Sequence, residues 1–132
     1  MKYKRYCKTL KLAGNAALIE KYKKAHESGK VWPEISQGMK EVGIIDMEIY
    51  IHDTSLFMIM DTVPGFDHDQ AMKTLATLPR QSEWETRMAE FQLADQQSSA
   101  GEKWQLMERI YELDQEKTYS AREGQRKEFG LR

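Results

Sequence analysis

The chain has 132 residues, and its 20 Lys and Arg nearly balance 21 Asp and Glu, leaving a formal charge of −1. One domain of that size buries roughly two thirds of the surface its unfolded chain exposes, and so small a charge supplies no bulk electrostatic footprint for nucleic acid or an anionic membrane. The single Cys7 cannot form an internal disulfide, no apolar run approaches the ~20 residues of a membrane span, and MKYKRYCK lacks the apolar segment of a signal peptide, so a reducing cytoplasm is the default compartment.

Residues 3–12 read as a strand with Tyr6, Lys8 and Leu10 on one face and Arg5, Cys7 and Thr9 on the other. Gly14 breaks it, and Asn15 is placed to N-cap a helix that runs to about Ser28 and stops at Gly29. Trp32-Pro33-Glu34 opens a second helix, with Pro33 in the first turn, where its missing N–H is harmless, and Ile35, Met39 and Val42 on one stripe. Gly43 closes that helix.

A hairpin follows: strands over 44–51 and 56–63, joined by the polar turn His52-Asp53-Thr54-Ser55. In the first strand Ile45, Met47, Ile49 and Ile51 alternate with Asp46, Glu48 and Tyr50. The second, containing LFMIMD, is apolar on both faces and reads as central. After Pro64-Gly65, Asp67 caps a helix to about Leu78. Pro79 restarts another through Phe91 or Leu93, and the polar stretch 95–103 leads to a last strand over 105–113.

That order of a strand, a helix pair, two strands, a helix pair and a strand predicts an α+β domain of the ferredoxin-like, split βαβ type, with helices over one face of an antiparallel sheet. The uncovered face would carry Asp46, Glu48 and Tyr50, with Glu108 and Ile110 from the last strand, a mixture ill-suited to open solvent. Packing it against a second copy resolves the mixture and predicts a two-fold homodimer with a barrel-like interior. This domain spans 1–114. Residues 115–132 are rich in charge and poor in apolar side chains, which predicts a solvated tail or a surface helix, from which Phe129 and Leu131 could dock on the partner subunit.

Several chemistries find no support. His26, His52, His68 and Cys7 show no metal-ligand spacing such as H-x-x-x-H or C-x-x-C. Gly14, Gly29, Gly38 and Gly43 are scattered and form no phosphate-binding loop, and no G-x-S-x-G elbow is present.

Tyr22 and His26 stand four residues apart on a helix face that also carries Leu18, Ile19 and Ala25, so His26 should point inward. An inward histidine at a helix end is either a capped core residue or a group that moves protons near neutral pH. The Tyr-x-x-x-His step, the W-P-E-I that follows it, the strand MEIYI, the strand LFMIMD and the helix containing Trp84 occur in one order over about residues 3–114. Together they make the chain resemble the L-rhamnose mutarotase family. The resemblance implies a dimeric α+β barrel, Tyr22 as a substrate hydrogen-bonding residue, His26 as the proton-transfer residue and Trp84 as a wall of the sugar pocket. The chain departs from the family where a second, adjacent tryptophan would be Glu85, where a tyrosine typical of rhamnose binders would be Met47, and in the entrance loop 27–31, which is two residues longer. Glu85 would bring a carboxylate to the sugar hydroxyls instead of a ring.

Sugar sites combine aromatic walls, which pack on the CH-rich face of a pyranose, with polar groups for its hydroxyls. Mutarotation needs only removal of the anomeric proton and protonation of the ring oxygen, then the reverse on the other carbonyl face. No cofactor is required. One imidazole can do both, aided by Tyr22, Glu34, Glu85 or a water they hold, although Glu34 also suits a first helical turn on dipole grounds. The sequence therefore predicts interconversion of the α and β anomers of a 6-deoxy-L-hexose, L-rhamnose first and L-fucose second. A haem-linked or cofactor-independent monooxygenase on the same barrel, or a non-catalytic small-ligand module, are the alternatives.

Overall fold

A computed structural model describes residues 3–93, 98–111, 113 and 124–126. Strand β1 (Tyr3–Lys11) leads to helices α1 (Ala16–Ala25) and α2 (Pro33–Glu41), then to the hairpin β2 (Ile44–His52) and β3 (Ser55–Thr62). Helices α3 (His68–Leu75), α4 (Gln81–Ala89) and the short α5 (Ala100–Lys103) precede two brief strands, β4 (Gln105–Leu106) and β5 (Gly124–Arg126). The antiparallel sheet has the order β2-β3-β1-β4, the ferredoxin-like arrangement, with β5 also on β1.

β3 is central, as its two apolar faces require, and pairs with β1 from Lys4 opposite Thr62 to Lys11 opposite Ser55. A bulge between Ile44 and Asp46 turns Ile45 outward, 38% exposed, and sets the register of everything after it. Beyond the bulge, side chains line up in rows across the sheet: Met47, Met60 and Tyr6 in one, Ile49, Met58 and Lys8 in the next, Ile51, Leu56 and Leu10 in the third. Tyr6, Leu10, Leu56, Met58 and Met60 of these rows are buried under the helices, in one cluster with Tyr22, Ile35, Met72, Trp84, Met88 and Phe91, and Lys8 is buried among them. Each large apolar side chain so buried contributes roughly 1.5–3 kcal/mol. The intervening residues Arg5, Cys7, Glu48, Tyr50, Phe57 and Ile59 face the other way.

Several boundaries differ from the sequence reading, among them α3, which ends at Leu75 rather than near Leu78, and α4, which spans Gln81–Ala89. α1 ends at Ala25, not near Ser28, because His26 takes the C-cap, and Gly29 with φ +82° serves the turn beyond. Residues 100–103, read as polar lead-in, coil into α5 behind a Ser99–Glu102 capping box. The strand expected over 105–113 is two residues long, although Met107 N–H still donates to Cys7 O at 2.8 Å. The alternating QLMERI pattern suits a longer strand, but the free edge of β1 is divided: β4 takes Lys8 and Thr9, while β5 takes Tyr3–Arg5. Glu108 and Ile110 are therefore not strand residues, and Ile110 is 91% exposed. Gly124–Arg126 lie within the stretch read as a solvated tail, yet they extend the sheet. Phe129 and Leu131 lie outside the described residues.

Candidate active site

Asn15 starts α1 as its sequence position requires, its Oδ1 accepting from Ala17 N at 2.9 Å and Leu18 N at 3.1 Å. Three turns later the same helix face delivers Tyr22 and Ala25 to the core and leaves His26 half-buried at the C-cap. His26 Nδ1 lies 2.8 Å from the Tyr22 carbonyl oxygen. A carbonyl only accepts, so Nδ1 carries the hydrogen and Nε2 keeps its lone pair. Burial pushes the imidazole pKa below its ordinary value; the Tyr22 carbonyl and Glu85 oppose that shift and Arg87 adds to it. Burial likewise drives the Tyr22 phenol well above its usual range, with the Gln92 side chain opposing that shift and the charge of Glu85 adding to it. Tyr22 is neutral throughout the physiological range.

Aromatic rings enclose the imidazole. The Tyr22 ring centroid is 4.4 Å from His26, and Trp84 meets His26 edge-on at 5.8 Å and 76°. Trp32 then meets Trp84 edge-on at 5.1 Å, forming a two-tryptophan corner from the start of α2 and the first turn of α4. Arg80 closes the corner, its guanidinium 3.9 Å above the Trp32 ring, while Arg87 lies 5.7 Å and 5.8 Å from the two indoles. Arg80 holds a left-handed backbone, φ +63°, at the N-cap of α4. Its side chain is fixed by two hydrogen bonds to Glu83 and a 3.8 Å approach to Glu34. A non-glycine residue in that conformation costs of order 1–3 kcal/mol, offset here by what the side chain touches.

Behind Trp84 runs a buried polar network. Lys103 Nζ contacts Glu85 Oε1 at 2.7 Å, the Glu85 carbonyl at 3.1 Å and Gln92 Oε1 at 2.8 Å, with its side chain fully buried. Gln81 Nε2 donates to Glu85 Oε2 at 2.8 Å. A cavity of about 330 Å³ adjoins this network between α3, α4 and α5, with Gln81, Glu85 and Ser99 among its walls. A wider concavity of about 740 Å³ opens between α1 and α4, bounded by Ala25 and Glu27 on either side of His26 in sequence and by Arg87 and Phe91.

The sequence model of the family described as L-rhamnose mutarotase matches residues 5–113. The chain belongs to the L-rhamnose mutarotase family. Its members are isomerases that interconvert sugar anomers. An L-fucose mutarotase of Xanthomonas campestris pv. campestris is 38% identical over 117 residues, covering 87% of this chain and 92% of its own. A UPF0734 protein of Dictyostelium discoideum is 34% identical over 116 residues, covering 85% and 91%. The crystal structure of an L-rhamnose mutarotase from Formosa agariphila shares the fold with a TM-score of 0.60 over 83% of this chain and 98% of its own, at 19% identity.

Within this mutarotase-family fold the residues singled out from sequence fall into three groups. Tyr22, His26 and Trp84 are brought together in direct ring contact. Met47 occupies the helix-facing row with Met60 and Tyr6, half-buried against the core. Glu85 has both carboxylate oxygens engaged, by Lys103 and Gln81, and Glu34 sits at the rim against Arg80. Trp32, Arg80, Gln92 and Lys103 were not singled out as site residues. Trp32 stands six residues after His26, and its position in the sequence marks the opening of a helix and the W-P-E-I motif but no place in the site. Lys103 lies in a polar stretch, where nothing in the local pattern reveals a lysine buried against Glu85, eighteen residues away.

Proposed function

We propose that this protein interconverts the α and β anomers of a 6-deoxy-L-hexose in the cytoplasm, as a homodimer, with L-rhamnose and L-fucose the substrates to compare. The observation that carries the reading is the His26 imidazole, locked by the Tyr22 carbonyl, with no hydrogen-bond partner for Nε2 among the described residues, and ringed by Tyr22 and Trp84. His26 Nε2 takes the proton from the anomeric hydroxyl as the C1–O5 bond breaks, giving the open-chain aldehyde, and returns that proton to O5. Rotation about C1–C2 presents the other carbonyl face, and closure reverses both transfers. Tyr22 is too weak an acid to give up its proton fully, because burial disfavours the phenolate. It donates a hydrogen bond to the developing charge on the ring oxygen instead. Trp84, cornered by Trp32, packs on the CH-rich face of the sugar.

The choice of sugar rests on residues at which this chain differs from the rhamnose pattern. Met47 offers no phenol, and Glu85 offers a carboxylate already bound to Lys103 rather than an indole. A relative named L-fucose mutarotase makes L-fucose a necessary comparison. Proton NMR saturation exchange between the two anomeric signals, across a panel of L- and D-sugars, decides both activity and preference. His26→Asn should stay folded and lose about 10²–10⁴-fold in exchange rate, the range for removing general acid–base catalysis. In the wild type, kcat/KM should fall on the acid side with a midpoint below an ordinary imidazole, because burial disfavours the protonated form. Wild-type rates from His26→Asn would remove this histidine from the chemistry.

A further inference from the structure

Gln81 lies in the first turn of α4 and is 2% exposed, its backbone N–H donating to Leu78 O at 3.2 Å. A carboxylate only accepts, so the amide group 2.8 Å from Glu85 Oε2 is assigned as the NH₂, and the carbonyl oxygen points the other way. That oxygen, Oε1, is buried and has no hydrogen-bond partner among the described residues. A buried acceptor without a donor destabilises the fold, and a hydroxyl brought to it removes that cost. Gln81 and Glu85 are both walls of the 330 Å³ cavity between α3, α4 and α5. Met72, Leu75 and Ala76 give the cavity an apolar wall, and Ser82, Thr86 and Ser98 add hydroxyls, which donate and accept. Glu85 is the one ionisable residue among these walls, and both its oxygens are taken, by Lys103 at 2.7 Å and by Gln81. The cavity therefore favours neither an anion nor a cation. It is also separate from the ring-lined site. Trp84 and Glu85 are consecutive on α4 and project about 100° apart, Trp84 toward His26 and Trp32, Glu85 toward Gln81 and Lys103.

We propose that this cavity is a second binding site, for a neutral polyhydroxy compound of monosaccharide size, with Gln81 Oε1 accepting from one of its hydroxyls. A volume of about 330 Å³ lies at the lower end of the range for small-molecule sites. An apolar wall facing hydroxyl groups suits a ligand with one CH-rich side and one hydroxylated side. Glu85 is the positioning residue: anchored by Lys103, its carboxylate fixes which end of the Gln81 amide is left to accept. The mutarotase reading supplies two of the probe molecules below and nothing else, so the two readings stand or fall separately.

Proton–nitrogen NMR spectra of the full chain read the site directly when L-fucose, L-rhamnose and myo-inositol are each titrated to about 100 mM, a range that covers the weak binding expected of a few hydrogen bonds. myo-Inositol has no anomeric centre and cannot be turned over. At least one of the three should move the Gln81 side-chain NH₂ resonances saturably, and should do so equally in His26→Asn. Ala76→Phe fills the cavity from its apolar wall and should weaken that response about tenfold or more. Gln81→Met, followed at the Ser82 and Thr86 backbone amides, should weaken binding about two- to tenfold, the loss expected for one hydrogen bond. A cavity that takes water alone gives no saturable response to any of the three, which overturns the site. A Gln81 response that keeps its strength in Ala76→Phe, or disappears in His26→Asn, also overturns it. So does one that saturates together with the Trp84 indole for both sugars and is absent with myo-inositol, since the substrate's own pocket would then reach this far. Anomer exchange by the wild type without a Gln81 response rejects the second site alone. A Gln81 response without exchange of any sugar rejects the mutarotase reading alone.

Discussion

Lys8 shows how far one side chain can run against its surroundings. It sits on β1 between Tyr6 and Leu10, on the face that the alternation in the sequence assigns to the core, and is 2% exposed. Its Nζ donates weakly to the Met72 thioether at 3.7 Å, a poor substitute for water or a carboxylate. Burial pulls its pKa down to about 8 from 10.5, with the charge of Asp69 opposing. The unfolded chain therefore holds this proton more tightly than the folded one. Between about pH 8 and 10.5 the unfolded state binds more protons, so stability rises with pH across that window, and the penalty is fully present below it. Lys8→Met keeps the length of the stem and removes the charge. It should stabilise the fold at pH 7 by about 1–3 kcal/mol, and the advantage should shrink toward zero by pH 10.5. Thermal melts of both proteins at pH 7, 9 and 10.5 check this. A variant that melts lower at every pH would mean that the ammonium has a favourable role in the folded state.

At the scale of elements, the junction between α2 and β2 depends on a single glycine. Gly43 has φ +105°, a backbone that side-chain-bearing residues rarely adopt, and a Cβ there would lie 3.1 Å from Val63 and 3.2 Å from Phe66. Its carbonyl also accepts from Val63 N–H at 3.0 Å, tying the end of α2 to the end of β3 just before the bulge that sets the β2 register. Gly43→Ala should cost about 2–3 kcal/mol in urea denaturation, whereas Gly14→Ala, with nothing within 4 Å of the added methyl, should change stability little. Similar midpoints for the two variants would show that α2 can be recapped without strain. The punctuation of the chain was legible in these terms: Gly43, Asn15, Pro33 and Asp67 each stand where a helix starts or stops, because caps and positive φ are local demands. The strand faces were legible for the same reason, since period two leaves Tyr6 and Leu10 on one side and Cys7 and Thr9 on the other. What was hidden is non-local. The division of the β1 edge between β4 and β5 depends on where residues 124–126 return, and the Lys103–Glu85 pair joins positions that no periodicity links. In the site, the Tyr22–His26 step could be read because it is one helical turn, while the Trp32–Trp84 corner could not, because its halves come from α2 and α4.

At the scale of the whole molecule, the sheet has one face under helices and one without, and the second carries the argument for assembly. Its centre is semi-apolar: Phe57 and Ile59 on β3, with Cys7 on β1, lie between the Arg5–Asp61 ion pair at 2.9 Å and Tyr50, whose hydroxyl donates to Glu48 at 2.8 Å. Tyr50 is 55% exposed, Met107, whose N–H reaches Cys7 on β1, is 40% exposed, and Ile110, Tyr111 and Leu113 farther along the chain are 91%, 65% and 84% exposed. Exposed apolar side chains at both edges of the uncovered face favour association through it, and a two-fold axis lets that face cover its own copy. Sedimentation should therefore give a dimer at micromolar concentration. Phe57→Asp places a charge at the middle of the open face without touching the helix-covered core, since its row neighbours are Tyr50 and Thr9. That variant should sediment as a monomer with unchanged far-ultraviolet circular dichroism, because burying an unpaired carboxylate in the interface costs several kcal/mol. A wild-type monomer at these concentrations, or a Phe57→Asp dimer as tight as the wild type, would mean that the open face stays in water and that the exposed residues of 107–113 pack elsewhere.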